Sequence, residues 1–457
     1  MSHFPVPLPS NTPGQKFRLP DSMAFYLQGS IVVFFLAGSS APTPLYPTYQ
    51  SQWGFSAITT TIVFGVYAVA VLVALLVVGS LSDFIGRRPI LLAAVVVQAL
   101  SMLAFAAATG VGELMVIRVV QGLATGSAVA AVGAGMLDLD RTKGTLANSV
   151  AAPIGTALGA IGSGLLVQYL PAPTHLVYLV LSVIFVLQGI GVAFMRETAS
   201  PRSGALSSLR ITLELPSEIR KPMLVVAPAL IAIWALLGFY GSLAPAVVRN
   251  LIGHNSALLG GLALFAVAAS GAASVVLFRN RPPRSAMFAG VTGLMLGVAV
   301  TLLATDRSST TEFFLGTVIA GIGFGAGFHG AIRSIVALAR PHERAGVLSI
   351  LYVISYLAMG LPAVIAGFLV VHGGGMALTA REYGIAVIVL AALALLGLTL
   401  ARPPVVARSS VSPAFAPVPQ SVSAVGAEAH GELGTTVDPG RRGTLSALPH
   451  RVAGEIG

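Results

Sequence analysis

No cysteine occurs in the 457 residues, which excludes disulfides, thiolate metal sites and cysteine nucleophiles while leaving the compartment open. Charge is scarce as well: Asp, Glu, Lys and Arg make up 9% of the chain against 55% hydrophobic residues, with a mean hydropathy of +0.88. No single soluble core absorbs that much apolar surface, so the composition is that of a polytopic membrane protein. The first twenty residues lack the apolar core of a secretory signal peptide, and insertion is expected to use the first spanning helix. None of the 16 acidic residues falls in the middle of an apolar stretch, so a cationic ligand would find no counter-charge at membrane depth. There is no metal-ligand cluster and no base beside a buried nucleophile, which leaves an intramembrane enzyme unsupported. No cofactor is implied.

What is present is a series of twelve apolar stretches, running from Ala24–Leu45 to Tyr383–Leu400, each long enough to span a bilayer as a helix. The expected fold is therefore all-α, with twelve transmembrane helices in two six-helix bundles. The longest polar interruption, Arg196 to Pro222, divides them. The expected organisation is an N-terminal segment over 1–23, a first bundle over 24–195, an interdomain loop over 196–222, a second bundle over 223–401 and a tail over 402–457. Within the interdomain loop, Ser207–Ile219 suits either a short surface helix or a strand. The tail, rich in Pro, Ser, Ala and Gly, is expected to be disordered.

Orientation follows from the distribution of Lys and Arg. Loops on the side of the two termini carry eighteen, against Arg249, Arg307 and Arg381 on the other side. The positive-inside bias then puts both termini in the cytoplasm, with the protein in the cell inner membrane. The net charge of +10 is mostly this bias rather than a nucleic-acid surface.

Several residues stand out against the apolar background. The loop GSLSDFIGRRP, from Gly79 to Pro89, places Asp83, Arg87 and Arg88 between two spans, with Gly79 and Gly86 free to turn tightly. The fourth stretch carries Arg118, an expensive group at membrane depth that requires a partner or a wet cavity, or reaches the surface near Glu113. Helix ten carries His329 and Arg333 four residues apart and therefore on one face; a histidine there suits proton transfer or ligand binding. Gln28, Tyr67, Gln98, Trp234, Tyr240, Tyr352 and Tyr356 complete the polar and aromatic candidates for a substrate cavity, together with His329 and Arg333.

Gly79, Leu81, Asp83, Gly86, Arg87 and Arg88 match the loop between the second and third helices of the major facilitator superfamily, and Arg118, Gln121, Gly122 and Gly126 match its fourth-helix pattern. Pro153, Gly155 and Gly159 resemble the glycine and proline motif of its antiporters loosely, since Ala152 stands where a glycine is expected; the bottom-up reading is a close-packing face. The resemblance covers residues 24–401. It implies alternating access between two bundles, a latch in which Asp83 faces the start of the eleventh helix near Gly346, and a pairing of Arg87 with Asp138 or Asp140. It also implies that Arg118 modulates a nearby carboxyl group; with no acid at mid-membrane, Glu113 and His329 are the candidate proton carriers left among the residues. The expected activity is proton-coupled export of a small amphipathic molecule by a monomer in the lipid bilayer. The alternatives are uptake of an organic anion or other metabolite by symport or facilitated diffusion, and a non-transporting sensor or scaffold.

Overall fold

The computed structural model describes residues 18–200, 203–205, 213–253, 256–340 and 342–401. The expected disordered tail lies outside these residues, as does most of the N-terminal segment. The 207–212 part of the ambiguous loop segment lies outside them too.

A lipid environment offers the backbone no hydrogen-bond partners, so apolar runs of this length must satisfy themselves as helices. Among the described residues, twelve helical segments are long and apolar enough to span a membrane. The first half comprises α1 (Asp21–Ser40), a short α2 (Tyr46–Trp53), α3 (Ala57–Val77), a one-turn α4 (Leu81–Ile85), α5 (Arg87–Ala107), α6 (Val111–Leu139), α7 (Arg141–Tyr169) and α8 (Leu176–Ala193). The second comprises α9 (Ser217–Ser242), a short α10 (Ala244–Ile252), α11 (Ala257–Phe278), α12 (Pro283–Asp306), α13 (Thr310–Val336), α14 (Arg344–His372) and α15 (Gly375–Leu400).

The apolar core forms two clusters. One is drawn from Ala24 to Met195; the other runs from Ile219 to Leu398 and takes in Ala160 from α7. Side chains such as Leu100, Val116, Leu187 and Leu277 point outward, as lipid contact requires. Small residues allow the closest helix pairs. Gly290, Gly297, Gly316 and Gly323 bring α12 and α13 together so tightly that a Cβ on any of them would strike the facing helix.

The ends of several helices differ from the apolar runs. The first span was expected to continue to Leu45, but α1 stops at Ser40 and a 3-10 turn over Thr43–Leu45 redirects the chain into α2. Pro42, Pro44 and Pro47 lack the N–H groups that a continuing helix needs, and Pro47 sits in the first turn of α2, where that loss is harmless. At the second half, α9 begins at Ser217 rather than Met223; its polar first turn carries Glu218, a favourable charge at a helix start. The last helix begins at Gly375, eight residues before the apolar run, because Arg381 and Glu382 lie on an exposed face of a helix already under way.

Contacts between the halves gather toward the end opposite the chain termini. There Gly65 meets Val364, Ala68 meets Gly360 and Thr61 meets Gly367, joining α3 to α14, while Gly164 meets Leu258 and Gly261 meets Ala160, joining α7 to α11. Thr43 adds a hydrogen bond from its hydroxyl to the Gly241 carbonyl at 3.1 Å.

Candidate functional site

Arg118 is the largest fully buried side chain among the described residues, 1% exposed, so it does not reach the surface. Its Nη1 donates to the Ser39 carbonyl at 2.9 Å and to Gln121 Oε1 at 2.8 Å, and its Nη2 to the Tyr46 hydroxyl at 2.6 Å. Three rings, Tyr46, Tyr67 and Phe105, lie 5.2–5.9 Å from the guanidinium, within range of cation–π attraction. Gln121 in turn donates to the Gly38 carbonyl at 3.0 Å. The partners of this charge are thus a helix-end carbonyl, an amide and a phenol. Among the described residues none is a carboxylate.

Glu113 does not serve Arg118. It lies exposed in the first turn of α6 and accepts from the Thr109 N–H at 2.7 Å, closing the helix start as capping acids do. In this conformation Glu113 caps a helix start at the surface rather than pairing with Arg118.

Aromatic side chains occur in both halves. Tyr67 packs on Arg118, and its helix α3 meets α14, the helix of Tyr356, where Ala68 faces Gly360. The Tyr356 and Trp234 rings are 5.2 Å apart, and Trp234 stands edge to face with Phe328, also at 5.2 Å. His329 follows Phe328 on α13, and both His329 Nε2 and Trp234 Nε1 are buried without a hydrogen-bond partner. Buried donors and acceptors are normally paired, so the Trp234 nitrogen within the aromatic cluster, and separately the His329 nitrogen on α13, each mark a place where a polar ligand atom or water belongs. Tyr352 lies one turn from Tyr356 on α14. In the first half, Gln28 fills the space above Gly135, and neither of its amide atoms has a partner; the same holds for both amide atoms of Gln98.

Two cavity candidates are engaged elsewhere. Arg333 donates to the carbonyls of Arg279 and Arg281, each at 3.0 Å, closing the end of α11 at the membrane surface. Tyr240 is 2% exposed in the core of the second half and hydrogen-bonded to Thr317 at 2.7 Å. Helical spacing correctly placed His329 and Arg333 on one face, but a long arginine reaches a full turn toward the headgroups.

At the end bearing the termini lies a charged cluster. Arg87, only 9% exposed, pairs with Asp83 at 2.5 Å and Asp138 at 3.4 Å and donates to Ser82 Oγ at 2.6 Å. Asp140 takes no part; it caps α7 by accepting from the Thr142 N–H at 3.0 Å and the Lys143 N–H at 2.9 Å. The Lys143 N–H, then the Lys143 charge, hold its carboxyl below the ordinary value. The expected contact between Asp83 and the start of α14 is not made in this conformation. Asp83 stays within its own half, and the backbone of Glu214 lies beside Gly346 instead. Gly86 has φ +106°, which other residues rarely adopt, and a Cβ there would also meet the Glu197 carboxylate. That carboxylate accepts the N–H groups of Arg87 and Arg88, and the Arg88 side chain reaches the Ala193 carbonyl. Glu197 had no local sequence signal, because its partner helix lies 110 residues earlier.

The glycines of α7 form a packing face. Gly155 sits against Val33 and Leu36, and Gly159 against Ala37 and Ser40; the Ser40 hydroxyl donates to the Thr156 carbonyl at 2.9 Å and that of Ser163 to Ala41 at 2.6 Å. Pro153 lies two residues before Gly155, inside the helix.

The family described as Major Facilitator Superfamily matches residues 29–305. Among solved structures, a bacterial homolog of the human lysosomal transporter Spinster, in an inward-facing and unoccupied conformation, superposes with a TM-score of 0.65 at 15% identity, covering 83% of this chain and 97% of the other. A mutant of the nucleoside transporter NupG superposes with a TM-score of 0.62 at 10% identity, covering 82% and 98%. At such identities the likeness is one of fold. No curated protein sequence matches.

Proposed function

Because this chain belongs to the major facilitator superfamily, a family of membrane transporters rather than enzymes, we propose that it moves a small amphipathic molecule by alternating access, in the direction of export and in exchange for protons. The substrate class is neutral or anionic and carries an aromatic or other apolar body. The observation that carries this reading is the aromatic cluster of Tyr356, Trp234 and Phe328 in the second half, with Arg118 and Tyr67 in the first and unpartnered nitrogens on Trp234 and His329. An amphipathic ligand lying against the cluster would stack on the rings and pair polar atoms with those nitrogens. With no acid among them, these groups favour a neutral or negative ligand over a cation.

His329 is the proton carrier in this reading, now that Glu113 is accounted for by its capping role. Termini in the cytoplasm, supported by the Lys and Arg bias, make the end holding Thr43 and Gly241 the outer end. The conformation is then closed outward. In the opposite conformation, Asp83 would leave Arg87 and face the start of α14, where unpaired N–H groups welcome a carboxylate.

The test is proton flux in proteoliposomes under an imposed pH gradient, with wild type and His329→Gln compared. Substrate-triggered proton movement in wild type, lost in the variant while substrate binding persists, supports coupling through His329. Coupled flux that survives His329→Gln removes it as the carrier.

A further inference from the structure

The turns that follow α1 and α9 repeat one another. Ala41-Pro42 opens the first and Ala244-Pro245 the second; each leads through a short helix, α2 or α10, to a left-handed glycine, Gly54 at φ 66° or Gly253 at φ 76°. A Ser-Ala pair, Ser56-Ala57 or Ser256-Ala257, then opens the next span. The two short helices occupy equivalent places in the two halves and meet at the end where the halves close. Between them lies a cavity of about 250 Å³, lined from one half by Tyr46 and Gln50 and from the other by Ser242, Arg249, Asn250 and Met376, among others.

The chemistry of this cavity is lopsided. Of the arginines on this side of the molecule, Arg307 is paired with Glu312 at 3.4 Å. The side chain of Arg249, half-buried at the cavity wall, has no hydrogen-bond or ion-pair partner among the described residues, and none of the described lining residues is acidic. Asn250 adds a second donor beside it. Across the cavity, Gln50 is held by its hydrogen bond to Thr60 at 2.7 Å, and Tyr46 is held by Arg118. The walls are otherwise apolar: Pro47, Phe55, Val370 and Met376. An unpaired cation in a partly apolar pocket fits a carboxylate with a small hydrocarbon body, and the volume suits roughly ten non-hydrogen atoms.

We propose that the cavity between α2 and α10 is a binding site for a small organic carboxylate, with Arg249 as its counter-charge, and that an occupant bridges the two halves and holds this end closed. The site is distinct from the aromatic cluster near the helix centres, and binding there requires no transport.

The chain's tryptophans are Trp53 and Trp234, and Trp53 stacks on Tyr49 at 4.5 Å within α2. Trp234→Phe therefore leaves a single reporter one turn from Gln50. The purified full chain in that background is titrated with cyclohexanecarboxylate, with the uncharged cyclohexanecarboxamide as control, and Trp53 fluorescence is followed. The proposal expects a saturable response to the carboxylate. It expects affinity weaker by about tenfold or more for the amide and after Arg249→Gln, as loss of a charge-assisted contact implies, and much of it retained in Arg249→Lys. No saturable response, or equal affinity for carboxylate and amide, overturns it. So does a response in which Arg249→Gln matches the parent. The readout is binding alone, so its failure is separate from any failure of the transport reading.

Discussion

The Glu197 carboxylate accepts the backbone N–H of Arg87 at 2.7 Å, so a residue just beyond α8 caps the start of α5 across 110 positions of sequence. The same carboxylate takes the Arg88 N–H at 3.0 Å. Backbone donors at a helix start and a carboxylate are a favourable pairing of dipole and charge, while Arg88 ties back to the last turn of α8 through the Ala193 carbonyl. The third and sixth spans are thereby fastened at one end, and the Asp83, Arg87 and Asp138 cluster is built upon that joint.

Glu197→Ala should destabilise the first half by about 1 kcal/mol, the usual cost of a lost N-terminal cap, with the group's exposure keeping it from being larger. Thermal unfolding in detergent checks this. Glu197→Gln, which keeps an acceptor but loses the charge, should fall between the two. A melting temperature unchanged in both would remove the joint.

Asp83→Asn should leave the fold intact, because Arg87 keeps Asp138 and Ser82, yet slow transport by weakening the opposite conformation. The absence of native cysteines makes this measurable. Ser349→Cys, one turn beyond Gly346 at the start of α14, should label several-fold faster from the side of the termini when Asp83→Asn is added. Unchanged labelling together with unchanged transport would remove the latch.

Arg118→Lys should not rescue what Arg118→Ala loses. A lysine ammonium cannot span the Ser39 carbonyl, Gln121 Oε1 and the Tyr46 hydroxyl in one planar fork. Each buried acceptor left unpaired costs about 1–3 kcal/mol. Both variants should melt lower than wild type and lose most transport, whereas Tyr46→Phe, removing one of the three bonds, should show a partial loss. Full activity in Arg118→Lys would show that charge alone suffices there.

The twelve spans were legible because hydropathy over twenty residues is a strong signal, and Gly86 and Arg87 were legible because a charged turn between two such spans has few alternatives. The arginine at 118 was recognisable as a residue needing partners, yet its partners were not, since Tyr46 comes from a short helix in a stretch read as the end of a span and the loop beyond it. Neither α2 nor α10 is apolar or long enough to announce itself; the repeated Ala-Pro and Ser-Ala pairs were the available signal. The partners of Glu113 and Arg333 were not legible for one reason. A long side chain near a helix end reaches water or a neighbouring loop, and linear position does not reveal which. Phe328 carries no sequence signal of its own; its edge-to-face packing on Trp234 is a tertiary contact.

Asp140 gives a pH dependence of known sign. Its carboxyl is held below the ordinary value of 3.8 by the Lys143 and Thr142 N–H groups and the Lys143 charge. A group whose folded value is depressed contributes stability that is complete above the unfolded value and lost as pH falls through the folded one. Hydrogen exchange at the start of α7 should therefore quicken below about pH 4 relative to the rest of the helix, after correction for intrinsic rates. Asp140→Asn should remove that acid-dependent step; its persistence in the variant would assign it to another group.

The central claim is that the Tyr356, Trp234 and Phe328 cluster, with the unpartnered nitrogens of Trp234 and His329, binds an amphipathic substrate lacking positive charge. The most direct measurement is transport into sealed proteoliposomes of three compounds sharing one aromatic body and differing only in a carboxylate, an amide or an ammonium group, with wild type compared with Trp234→Ala and Tyr67→Ala. The account predicts that the carboxylate or the amide is carried in preference to the ammonium compound, and that both substitutions reduce that transport. Preferential transport of the ammonium compound, or transport indifferent to both substitutions, would contradict it.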